Sequence, residues 1–164
     1  MGLLEPHGRG RRPFRRDELT DDAPVIIVHS LAHAVAALTA AAEAGEHIIL
    51  ASAPDAGIYA GPGWWNGLVA AARDAVPAAQ FAALLDCGDD AGAAQAAIRT
   101  GVDATVFTGR RDVAGRLADI ARQRGARLTT ERPSGALDLA AGFFATPERL
   151  HRRCADWLRR GGAG

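Results

Sequence analysis

The residues best suited to chemistry fall in four short stretches. Asp86-Cys87-Gly88-Asp89-Asp90 places three carboxylates and a thiol within five positions, a set able to hold magnesium through oxygen or to supply a general base. His29 and His33 lie four residues apart, and an imidazole that titrates near neutrality can serve as acid or base. Thr108-Gly109-Arg110-Arg111 joins a hydroxyl, open backbone and two guanidinium groups, a combination that suits a phosphate or carboxylate ligand. Tyr59, Trp64, Trp65 and Asn66 belong to a glycine-rich segment, residues 53–67, expected to be a loop longer than the usual connection between strand and helix, whose aromatic rings can stack on a ligand.

Each stretch also has a purely structural reading. Asp89 or Asp90 can cap the helix that begins near Ala91, and Asp86 can brace a neighbouring loop through backbone hydrogen bonds. The histidines match no metalloenzyme spacing, so no metal is assigned. Asp112 can be an ordinary N-cap with both arginines solvated, and Trp64 and Trp65 can pack at a helix start or in a subunit interface.

The elements that must position these residues follow from local patterning. Apolar, β-rich runs at residues 25–28, 48–51, 81–85 and 104–107 are each followed by an Ala-rich stretch, the alternation of parallel βαβ units. A weaker fifth strand is expected over 127–130, and residues 137–144 fit no single period. Gly45, Gly101 and Gly125 stand just past helices, where a left-handed residue ends them. The expected fold is therefore α/β, a three-layer parallel sheet of four or five strands, doubly wound and flavodoxin- or Rossmann-like. The alternative is a sequential sheet like half a (β/α) barrel.

Residues 1–22 read as a flexible Arg-rich arm and 23–164 as one domain, closing with an amphipathic helix over 147–160 that starts at the cap Thr146 and Pro147. The segments 84–92 and 106–109 resemble parts of phosphate-binding barrel enzymes in their strand, glycine and helix features; these features are generic and identify no family.

Composition removes several mechanisms. All 19 basic side chains other than histidine are arginine, so a lysine-linked cofactor such as pyridoxal phosphate is excluded, as is the P-loop. The net charge is +0, which supplies no general attraction for nucleic acid; binding through the N-terminal arm ranks lowest among the partners. Two cysteines without metal spacing suit a reducing compartment, and the absence of a long apolar run argues against a membrane. Cytoplasmic residence is the default expectation.

In parallel α/β folds ligands bind beyond the carboxyl ends of the strands. The expected site thus takes Asp86 and His29 as acid–base groups, Arg110, Thr108 and Gly109 as an anion subsite, and Tyr59, Trp64 and Asn66 as its wall. The expected function is a binding domain or enzyme for a small anionic or phosphorylated metabolite. The rival is a non-catalytic scaffold that forms a homodimer through the Trp segment and the last helix.

Overall fold

The computed structural model of the chain describes residues 22–162. The arm expected over residues 1–22 lies outside that range except for Asp22. The elements run β1 (Val25–Val28), α1 (Leu31–Ala44), β2 (His47–Ser52), α2 (Ala56–Tyr59), α3 (Gly61–Ala75), β3 (Gln80–Asp86), α4 (Ala91–Arg99), β4 (Ala104–Val106), α5 (Arg111–Gln123), β5 (Arg127–Thr129), β6 (Leu137–Asp138) and α6 (Pro147–Arg159), with a 3-10 turn at Ala140–Gly142 before the last helix.

Among the described residues all strand pairings are parallel, and the six strands form one open sheet in the order β5-β4-β3-β2-β1-β6. This is the expected α/β class of open parallel sheet. One strand exceeds the expected number, because Leu137 and Asp138 pair with Ile26 and Ile27. From β1 to β5 the chain advances in one direction, as in the sequential alternative. Right-handed crossovers that all advance the same way set their helices on the same face of a sheet.

Burial agrees with that rule. Ile26, Val28, Ile48, Leu50, Phe81 and Leu85 point into one cluster with residues of α1, α3, α4, α5 and α6. Ala51, Leu84 and Val106 form a second cluster on the opposite face, joined by Val25, Ile27, Ile49 and Ala104, and no helical residue among the described residues belongs to it. Across that face, a cleft of about 170 Å³ lies beside Glu131 and Pro133 of the segment that returns the chain from β5 to β6. The return places residue 132 over the strand ends.

Helix boundaries follow local chemistry. Gly45 ends α1 at φ 70, while Gly101 and Gly125 adopt φ 84 and 67 beyond α4 and α5; these values favour glycine because it lacks a Cβ. Asp90 accepts the Ala93 N–H at 2.8 Å to cap α4, and Thr146 caps α6 by accepting from Arg149. The glycine-rich segment is largely helical: α3 starts at Gly61, with Pro62 in its first turn, and buries Trp65, Leu68 and Ala72. A proline there costs no hydrogen bond, since the first-turn N–H groups have no partner within the helix.

Candidate functional site

Two clusters of charged side chains stand at the carboxyl ends of the strands. The first is built on Asp86, the last residue of β3. Its own N–H donates to Ser52 Oγ at the end of β2, 2.9 Å away. Its carboxylate accepts the Asp55 N–H at 3.0 Å and the Gly88 N–H at 2.9 Å. Arg132 closes it, donating from Nε at 2.7 Å and from Nη2 at 3.1 Å, while Nη2 also reaches Asp55 Oδ1 at 2.7 Å. Burial raises the affinity of Asp86 for a proton, but the hydrogen bonds from Arg132, Asp55 and Gly88 outweigh it, and the pKa is lowered. A carboxylate so engaged is held ionised and fixed in position.

The backbone around it is specialised. Asp55 adopts φ 60, the one left-handed residue other than glycine among the described residues, and this aims both its N–H and its carboxylate at the Asp86–Arg132 pair. Gly88 has φ 53, and a Cβ there would overlap the Asp55 carboxylate. The neighbouring Cys87 is buried, and burial with the charges of Asp86 and Asp90 pushes its thiol up to about 12. Tyr59, at the end of α2, is 68% exposed. Its hydroxyl is pushed up by partial burial and by the charges of Asp55 and Asp86, which places it in the electrostatic reach of this cluster.

The second cluster stands at β1 and β6. His29 Nε2 lies 2.6 Å from Asp138 Oδ1, and that oxygen also accepts the Ala140 N–H at 2.8 Å. Partial burial works against the Asp138 charge, but Ala140 and His29 outweigh it and the pKa is lowered; an ionised carboxylate here accepts the His29 Nε2–H. Arg153 of α6 donates to the Asp138 carbonyl at 3.2 Å. The His29 N–H donates to His33 Nδ1 at 3.2 Å, which leaves the His33 proton on Nε2. That atom is buried, facing the Gly142 carbonyl without a hydrogen bond of good geometry. Burial, then the neighbouring His29, lowers the His33 pKa, so this ring is neutral. Phe143 packs edge-on against it at 5.7 Å, and Phe144 beyond is 96% exposed.

The structure therefore places the two expected acid–base residues in different pairs, Asp86 with Arg132 and His29 with Asp138. The ends of β1 and β3 are separated by one strand, roughly 10 Å at the usual spacing. Thr108 belongs to the first cluster through its N–H, which donates to the Gly88 carbonyl at 2.7 Å. Gly109 packs on the Phe107 ring, leaving no room for a Cβ. Arg110 is turned to the surface with its fork on Asp112, at 3.1 and 2.9 Å. Trp64 is partly exposed and touches Trp65, which is fully buried. Asn66 donates to the Thr100 carbonyl at the C-terminal end of α4.

Sequence reasoning passed over Arg132 and Asp138. Arg132 lies in a Thr-Glu-Arg-Pro-Ser-Gly turn and Asp138 in a stretch without clear period; their partners are 46 and 109 residues away, beyond any local signal. Among the described residues no three His, Cys, Asp or Glu side chains converge as metal ligands. No helix among those residues is long and apolar enough to cross a membrane. No protein-family model matches the chain, and no curated protein sequence shows significant similarity to it.

Proposed function

We propose that the carboxyl ends of the strands bind a small anionic metabolite, with His29 as the proton-transfer group and Arg132 as the anion anchor. The observation that carries this reading is the His29–Asp138 pair. An imidazole held by a carboxylate has a defined tautomer and its second nitrogen available for a proton. The side chain of His29 is 21% exposed, enough to meet a ligand without being freely solvated. Arg132 is a stronger anchor than Arg110, because two carboxylates orient it at the strand ends and its fork is still partly exposed. Asp86 then acts as a positioning residue for Arg132, and Tyr59 borders the same cluster.

The test is a thermal-shift and turnover screen of phosphorylated and carboxylated metabolites against the wild type, His29→Ala and Arg132→Gln. A hit whose stabilisation is lost in Arg132→Gln, and whose turnover is lost in His29→Ala, supports the reading. No hit in the wild type, or hits unchanged in both variants, overturns it.

A second reading, a homodimer scaffold, draws on the exposed Trp64, Phe143 and Phe144, since apolar surface of this kind marks many interfaces. It expects a dimer mass in solution that falls toward monomer in Trp64→Ala or Phe144→Ser. A monomeric wild type rejects it.

A further inference from the structure

A distinct cationic site lies on α6, away from the apolar face by which that helix is attached. Leu150, Cys154 and Leu158 are buried against the domain, so the helix has no free apolar face to lay on a membrane. Its outer side carries Arg149, Arg152, Arg153, Asp156 and Arg160, which with Trp157 and Leu137 of the edge strand β6 line a cavity of about 350 Å³.

The charges there are unbalanced. Asp156 is taken by Arg159, and Arg153 donates to the Asp138 carbonyl. Arg149, Arg152 and Arg160 have no carboxylate partner among the described residues. Like charges three and four positions apart on a helix repel and lower its stability, so an uncompensated stripe is a cost unless an anion receives it. Guanidinium forks match phosphate oxygens, and several together match a polyphosphate better than a single carboxylate. Trp157 packs in part against the core, and the rest of its indole lines the cavity beside them, an aromatic surface on which a planar base can stack. The volume is at the small end of the range of roughly 300–1,000 Å³ found for ligand pockets.

We propose that this cavity is a binding site for a nucleoside polyphosphate, with its phosphates on Arg149, Arg152 and Arg160 and its base against Trp157. The site is independent of the strand-end reading above, although Arg153 joins the two by holding the backbone of Asp138, whose carboxylate holds His29.

The test is calorimetric titration of the full chain with inorganic phosphate, pyrophosphate, ATP, GTP and a single-stranded RNA oligonucleotide, at low and high salt. The nucleoside triphosphates should bind more tightly than pyrophosphate, and all affinities should fall with salt. Arg149→Gln with Arg152→Gln and Arg160→Gln, all exposed positions, should weaken them by about tenfold or more. Trp157→Leu should remove the advantage of nucleotide over pyrophosphate while sparing pyrophosphate, and Trp157→Phe should retain part of it; circular dichroism verifies that both fold. Absence of nucleotide binding, or binding unchanged in the triple variant, overturns the proposal. So does loss of nucleotide binding in Arg132→Gln, which would put the ligand at the strand ends, or tighter binding of the RNA than of any nucleotide, which would make this a strand-binding surface.

Discussion

Asp86 and Asp138 both end a parallel strand and both pair with a basic side chain at 2.6 to 2.7 Å, yet the side chain of Asp86 is 7% exposed and that of Asp138 is 48% exposed. The first carboxylate lies in the interior of the strand order and accepts from two backbone N–H groups as well as Arg132. The second sits on the edge strand, with solvent on one side. An arginine–carboxylate pair is thus a closed latch in one place, and a histidine–carboxylate pair stays open to solvent in the other. Enclosure decides the difference, because a buried ion pair broken on one side leaves unsatisfied groups, whereas an exposed one is replaced by water.

That contrast can be broken most directly at Asp86. Asp86→Ala leaves the Asp55 and Gly88 N–H groups and part of the Arg132 fork without partners. It is expected to cost about 3 kcal/mol, discounted because Arg132 is itself partly exposed; a denaturant-melt loss below about 1 kcal/mol would show that the latch does not hold the strand ends. The same carboxylate has a pH signature. Its folded pKa is depressed below the unfolded value near 3.9. Its contribution is therefore present above that pH and lost as the pH falls through the folded value. Asp86→Asn should flatten the acid limb of the stability curve.

Gly88→Ala attacks the latch from its backbone. A side chain at φ 53 is strained and would overlap the Asp55 carboxylate, so a loss of about 2 kcal/mol is expected by the same melts. At the open pair, Asp138→Ala should cost no more than about 1 kcal/mol. Its effect appears instead in nitrogen–proton NMR correlations of the imidazole, where the preference of the His29 proton for Nε2 weakens; an unchanged tautomer would mean that Asp138 does not orient the ring. The faintest signal is alkylation of Cys87. With its thiol pushed up to about 12, only about one in ten thousand is thiolate at pH 8. Native protein should resist labelling at Cys87 and Asp86→Ala should admit it, read by peptide mass spectrometry.

Much of the fold is legible in the chain. The strand runs, the glycines at 45, 101 and 125, and the caps Asp90 and Thr146 are local features, and each acts within about four residues of the group it satisfies. The segment 53–67 is the instructive exception. Its glycines resemble a loop, but Pro62 in the first turn and the spacing of Trp65, Leu68 and Ala72 let α3 form and bury an apolar stripe. Tertiary burial overrides the weak helical preference of glycine. In the candidate site, Asp86 and His29 were recognisable because they end strongly patterned strands. Arg132 and Asp138 were not, because nothing adjacent to them signals their partners.

The sequence by itself determined the class of fold, the direction of its strands and the ends at which charged residues gather, since periodicity and capping are properties of neighbouring residues. Only the tertiary structure decided how those charges pair. The return from β5 to β6 carries Arg132 onto Asp86, and the pairing of β6 beside β1 brings Asp138 to His29. Those contacts join residues far apart in the chain, and strand order, rather than any local pattern, sets which carboxylate is enclosed and which stays open to water.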